Sequence, residues 1–178
     1  SETGVVLAKD APAAVLTTYL NTMARLAAQT GYPATKLTVV ETIDKGALKD
    51  KDILVFGENS RILDGIDKED AGVAIDKIKQ GIEKSLTKAV SDDKNMESVV
   101  AEDAGIAAIV QYQSPFSDDR SVVAVLGDGQ DGSFLINKRL MIPGDLKLID
   151  GSVAVFKTNA TPTSYNICLL YTSDAADD

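Results

Sequence analysis

Near its start the chain sets a long amphipathic run between two short apolar ones, an arrangement that leaves few folds open. Gly4-Val-Val-Leu-Ala8 reads as a buried strand. Asp10 is placed to cap the next element, and Pro12 is tolerated in a first helical turn. Val15, Leu16, Tyr19, Leu20, Met23, Leu26 and Ala27 then recur at three- and four-residue spacing, which makes one apolar stripe. Gly31 is placed to end that helix as a C′ glycine, and Pro33 keeps it from resuming. Lys36-Leu-Thr-Val-Val40 is a second strand, and Asp52-Ile-Leu-Val-Phe56, closed by Gly57, a third. Strand, helix, strand, loop, strand calls for a parallel sheet with right-handed crossovers.

Beyond Gly57 the spacing predicts a second helix from about Lys68 to Val90, with Ile75, Ile78, Ile82, Leu86 and Ala89 facing inward. Ser91 to Asn95 reads as a solvated turn. The later half changes character. Ile106–Gln113 and Ser121–Leu126 are strand-like and joined by only Ser114-Pro-Phe-Ser-Asp-Asp-Arg120, so they are expected to pair as an antiparallel hairpin. A helix over Gly132–Met141 follows, then strands at Asp145–Ile149 and Ser152–Phe156 turned at Asp150-Gly151. The expected fold is α/β: a mixed sheet, parallel in its first half, with antiparallel hairpins in its second and helices flanking it. No internal repeat or linker divides it, so residues 1–167 form one expected domain.

Cys168-Leu-Leu-Tyr-Thr-Ser-Asp-Ala-Ala-Asp-Asp178 breaks the pattern. Written back into codons it resembles a transposon-derived sequencing adapter, so residues 168–178 are expected to be disordered read-through. The first residues, Ser-Glu-Thr-Gly, carry no initiator Met and no signal-peptide pattern. The chain is therefore expected to be a fragment, cut at both ends.

Composition narrows the chemistry. There is no His, the commonest general base and metal ligand, and the only cysteine is Cys168. No metal site, disulfide or catalytic residue is therefore expected. The net charge of −9 repels nucleic acid and anionic lipid. A phosphate-binding loop after the first strand needs Gly or hydroxyl residues at a helix N-terminus. Lys9-Asp-Ala-Pro-Ala13 has neither, so no cofactor is expected. Gly127-Asp-Gly-Gln-Asp-Gly132 is glycine-rich, yet its two Asp residues suit a turn and a helix cap better than an anion cradle. Asp92-Asp93 and Asp118-Asp119 read as solvated turns rather than as a facing acid pair. Arg120 is expected to make a structural ion pair that fixes the hairpin. With no Trp and few other aromatics, the chain makes a poor sugar platform by itself.

Several strings, taken in order, carry a resemblance. They are Ser1-Glu-Thr3, Thr30-Gly31-Tyr32-Pro33-Ala34, Asp52-Ile-Leu-Val-Phe-Gly57, Gln113-Ser114-Pro115-Phe116 with Arg120-Ser121-Val-Val123, and Gly144-Asp-Leu with Gly151-Ser-Val-Ala-Val-Phe156. Together they resemble the family of the periplasmic, regulatory subunit of bacterial cellulose synthase, and the segment looks like that family's second flavodoxin-like domain. The resemblance implies a non-catalytic part of a periplasmic protein held to the inner membrane by a C-terminal helix, next to the catalytic subunit. It implies partners in that subunit and in sister domains, with glucan bound by upstream modules absent from this chain. Nucleic acid is not an implied partner, and the membrane is met only through the missing helix. Older labels for the family refer to cyclic di-GMP, but Arg25, Arg61, Arg120 and Arg139 form no arginine cluster in the sequence. Gly31, Tyr32, Pro33, Gln113, Ser114, Pro115, Phe116, Arg120 and Ser121 are the matching motif positions, expected to be structural.

Overall fold

The computed structural model describes residues 3–33, 36–58 and 105–165. The helix expected over Lys68–Val90, the turn at Ser91–Asn95, the pair Asp92-Asp93 and the tail from Cys168 lie outside the described residues. Seven strands form one sheet: β1 (Thr3–Leu7), β2 (Leu37–Val40), β3 (Asp52–Gly57), β4 (Ile106–Gln113), β5 (Ser121–Gly127), β6 (Val153–Lys157) and β7 (Thr163–Tyr165). Among the described residues the helices are α1 (Ala13–Thr30), α2 (Lys45–Leu48), α3 (Gly129–Leu140) and α4 (Pro143–Leu146).

The strand order is β2-β1-β3-β5-β4-β6-β7. β2, β1, β3 and β5 run parallel. From β5 outward every pairing is antiparallel, β4 with β5, β6 with β4 and β7 with β6. The expected mixed α/β sheet is therefore the one observed. Its parallel part has the 2-1-3 order of flavodoxin-like sheets, with the order reversing around β1.

Successive strand residues face opposite ways, and both faces of this sheet are apolar. Val6, Ile53, Val55, Val110, Val122 and Val155 point to one face, where Leu48 of α2 joins them. Val5, Phe56, Ala107, Val125, Ala154 and Phe156 point to the other, against Val15 of α1 and Leu135, Ile136 and Leu140 of α3. Tyr19 of α1 meets Phe56 edge to face, with ring centroids 5.5 Å apart. A sheet buried on both faces explains why its strands read as near-continuous Val, Ile and Ala runs rather than as alternating ones.

Helix α1 has no acidic residue in its first turn and no basic one in its last, so packing, not the macrodipole, holds it. Thr18 is buried because its hydroxyl donates to the Ala14 carbonyl at 3.0 Å. Gly31 closes the helix as expected, at φ +74°, its N–H bonded to the Ala27 carbonyl. Asp10 does not cap it; Pro12 occupies that position without a side-chain bond. The apolar stripe is also wider than the buried face, since Leu16, Leu20 and Leu26 stand exposed.

Two expectations in the later half need correction. Asp145–Ile149 is not a strand: Pro143–Leu146 form a single helical turn, with Pro143 at its start. Proline in a first turn is pre-set for helix, and that local preference prevails over the apolar content. Asp150-Gly151 therefore turns the chain into β6 rather than joining two strands, with Gly151 at φ +81°. The strand partnering β6 on its outer side is instead β7, a three-residue run too short to register as periodicity. Helix α3 begins at Gly129, three residues earlier than the pattern suggests.

Candidate functional site

The nine motif positions fall in two segments that lie at the same end of the sheet. Gly31, Tyr32 and Pro33 precede β2, whose first residue Leu37 is in register with Thr3. Asp52 opens β3 opposite the same Thr3, and the β5 strand next to it begins at Ser121. Both segments thus lie at the amino ends of the parallel strands. In open α/β sheets ligands bind beyond the carboxyl ends.

Gln113 to Ser121 form a tightly bonded turn. The Gln113 side-chain amide donates to the Asp118 carbonyl at 2.7 Å. The N–H of Ser114 donates to the Arg120 carbonyl at 2.7 Å, and its buried hydroxyl accepts from the Phe116 N–H. A hydroxyl accepting two residues on is the geometry of an ST-turn. Pro115 and Phe116 make the turn itself, and Phe116 leans on the apolar cluster beneath. Ser117 donates to the Asp119 carboxylate at 2.7 Å. That bond, the Asp119 backbone and the nearby Arg120 charge hold the exposed Asp119 carboxyl below its ordinary range.

Arg120 makes an ion pair across the strands. It reaches Asp52 on β3 at 3.2 Å, and the same carboxylate accepts the Ser121 N–H at 3.0 Å. Sequence reasoning missed Asp52 as the partner. Its one signal was an acidic residue at the first position of a strand, a state that disfavours Asp. Beside this turn lies an open recess of about 560 Å³, lined among others by Gln111, Gln113, Arg120, Ser121 and Ser152. It forms where β4 outruns β6: their last paired residues are Val110 and Val153. At the other motif segment, the Thr30 hydroxyl donates to the Leu26 carbonyl of α1 at 2.9 Å and to the Tyr32 carbonyl at 3.2 Å, and it accepts from the N–H of exposed Tyr32.

At the carboxyl end, the described loops bond to the chain's own backbone. In the loop after β1, the Ala11 N–H is taken by the Ala8 carbonyl. After β5, Asp128 N–H donates to Ile106, Gly129 N–H to Glu58 and Gly132 N–H to Asp128. A side chain at Gly127 or Gly132 would collide with the backbone of Ser133 or Ile106. The glycines of this loop let α3 sit directly on β5 and β4, and three of the loop's N–H groups are spent inside the protein. Asp128 holds the N-cap position without a side-chain bond. Among the described residues no group of three or more potential ligands could hold a metal ion, and no helix is long and apolar enough to cross a membrane.

Among the described residues two buried hydroxyls, those of Tyr112 and Ser133, have no hydrogen-bond partner. Burial pushes the Tyr112 phenol above its ordinary range. Neither stands beside a nucleophile–base pair in the geometry described above. The fold is thus a mixed α/β domain whose motif residues bond chiefly to the chain itself.

Comparison with known proteins places it more narrowly. Residues 1–125 match the family described as cellulose synthase BcsB, second FD domain, and the chain belongs to that family. A cyclic di-GMP-binding protein of Salmonella typhi is 32% identical over 164 residues, and one of Escherichia coli strain K12 is 32% identical over 171 residues. Each match covers 88% of this chain and 21% of the relative, so the chain spans about a fifth of the length of the curated relatives it matches.

Proposed function

We propose that this chain is a non-catalytic structural domain of a periplasmic, membrane-anchored cellulose synthase subunit, supporting cellulose synthesis and export. In this reading residues 1–167 are one domain that packs against sister domains and the catalytic subunit. Glucan is held by modules elsewhere in the parent, which a C-terminal helix anchors to the membrane. The observation that carries the reading is the bonding of the motif. Gln113, Ser114, Arg120 and Ser121 bind Asp118, Phe116 and Asp52, as residues do that shape a domain rather than a pocket.

The cyclic di-GMP in the relatives' name is not carried over to these residues. The described arginines are engaged internally: Arg25 with the Leu140 carbonyl, Arg120 with Asp52 and Arg139 with Asp145. Guanine-edge recognition asks for such a fork free to bond bidentately.

Two measurements test the reading. Calorimetric titration of the chain with flavin mononucleotide, ATP, cyclic di-GMP and cello-oligosaccharides should give no saturable heat. Tight uptake of a nucleotide or flavin would replace this reading with a cofactor-binding one, and cello-oligosaccharide uptake with a carbohydrate-binding one. Excising the domain from the parent protein should abolish polymer secretion in cells, and unchanged secretion would sink the proposal.

A further inference from the structure

Helix α1 is unusual for a surface helix of an acidic protein. Its exposed residues are Ala, Leu, Thr and Gln, with no charge among them. Its one charged residue, Arg25, donates to the carbonyl of Leu140 at 2.8 Å and so is turned toward α3. Leu16 and Leu20, one turn apart, are 41% and 62% exposed, and Ala24 continues the line. Surface helices ordinarily carry charged residues on the face away from the core.

The apolar surface continues onto α3. Asn137 of α3 bonds to Asn21 and to the Ala14 carbonyl of α1, so the two helices lie side by side. Phe134 and Met141 stand three residues before and four after Asn137, on the same flank. They are 70% and 61% exposed. An 18-residue helix is about 27 Å long, so its outer stripe and this flank together give a surface of the size that inter-domain contacts use, roughly 600–1,500 Å² in total.

We infer that the outer face of α1, extended by Phe134 and Met141, is the surface on which another domain of the same parent polypeptide docks. The inference rests on the structural-domain reading above and names the face it uses. Three observations select this occupant. Matched relatives continue for nearly four fifths of their length beyond the region aligned here, so a covalently linked partner is present at high effective concentration. A second copy would bring another net charge of −9 to the contact, which opposes self-association. A lipid surface is disfavoured because interfacial helices carry Lys or Arg on their polar face, and α1 offers only the engaged Arg25.

Thiol labelling tests it. Leu20→Cys, Phe134→Cys and, as a control on α2's side of the sheet, Lys49→Cys are each labelled with maleimide, in this chain with Cys168→Ser and in a parent whose own cysteines are replaced by serine. The rates are compared between this chain and the full-length parent. Leu20→Cys and Phe134→Cys should react at least about tenfold more slowly in the parent, as a docked state populated ten to one requires, while Lys49→Cys keeps its rate. Equal rates at Leu20→Cys and Phe134→Cys in the two proteins would overturn the inference. So would slowing that already occurs in the isolated chain and grows with its concentration, because a second copy would then cover the face. Protection in a parent whose polymer secretion survives excision of the domain would keep the docking and sink the structural-domain reading. Loss of secretion without protection would sink the docking alone.

Discussion

The guanidinium of Arg120 lies 3.2 Å from the carboxylate of Asp52, which stands 68 residues earlier and also accepts the N–H of Ser121. One carboxylate thus fastens the β4–β5 turn to the start of β3, across the boundary between the parallel strand pair and the hairpin.

Asp52→Ala should destabilise the chain by about 1–2 kcal/mol, most of it from the Ser121 N–H losing its acceptor. The Arg120 share is discounted because the Asp52 side chain is half exposed. A double-mutant cycle with Arg120→Ala should therefore give a coupling below about 1 kcal/mol that shrinks in 1 M salt. Urea unfolding midpoints measure both quantities. A coupling above about 3 kcal/mol would mean the pair is shielded from solvent.

Tyr112→Phe should stabilise the chain or leave it unchanged. The residue is 5% exposed and its hydroxyl has no partner, so the substitution relieves a desolvation cost of about 1–3 kcal/mol. The same residue sets an alkaline limit. Its folded-state phenol titrates above the unfolded value, so its neutral form is compatible with folding below about pH 10. As pH rises past that value the unfolded state ionises first and stability falls. Unfolding midpoints at about pH 8 and about pH 10.5, on either side of the ordinary tyrosine range, should differ less in Tyr112→Phe than in the unsubstituted chain. Equal slopes would contradict this account.

Gly132→Ala and Gly129→Ala should separate two uses of glycine in one loop. At Gly132 the added methyl meets the Ile106 carbonyl and the Gly127 backbone, neither of which can yield as a flexible side chain would. A loss of about 3 kcal/mol or failure to fold is expected. At Gly129 no atom lies within 4 Å of the added carbon, but φ is +62°. The cost there is the left-handed backbone alone, about 1–2 kcal/mol. Thermal melting of both variants orders them.

Arg139→Lys should not rescue Arg139→Ala. The guanidinium bonds Asp145 at 2.9 Å, the Lys157 carbonyl at 3.0 Å and the Ala160 carbonyl at 2.7 Å. It ties the α4 turn and the β6–β7 connection to α3. An ammonium is a point donor without the rigid fork, so both variants should lose about 2–3 kcal/mol. Full recovery by lysine would show that charge, not geometry, matters there.

The sheet was readable in the sequence because both of its faces are buried, so strands such as Ile53–Phe56 and Val122–Leu126 stand out as unbroken apolar runs. The α1 boundary was readable because Gly31 needs a positive φ and Pro33 follows it. Misreadings came where a local preference opposed the apolar pattern, as Pro143 did at Asp145–Ile149. Long-range polar pairs were not readable at all. Asp52 with Arg120, Asn21 with Asn137 and Arg139 with the Ala160 carbonyl depend on which strands and helices become neighbours. Spacing along the chain carries no record of that choice.

The change of strand direction at β5 also bears on how the chain assembles. Strands β4 and β5 meet across a short turn, and β6 and β7 join them from within residues 153–165. The β4–β5 and β6–β7 pairings are local, so little loop entropy opposes them, whereas β4 meets β6 across a long separation, Ile106 opposite Lys157. β3 must instead find β5 from far earlier in the chain, with Ile53 opposite Val122, and such non-local pairing is slow. The β4–β5 hairpin is thus placed to order early and serve as the template on which β3, β1 and β2 settle on one side and β6 on the other. The Asp52–Arg120 contact would form with that later step, so mutating it should speed unfolding and leave the refolding rate nearly unchanged.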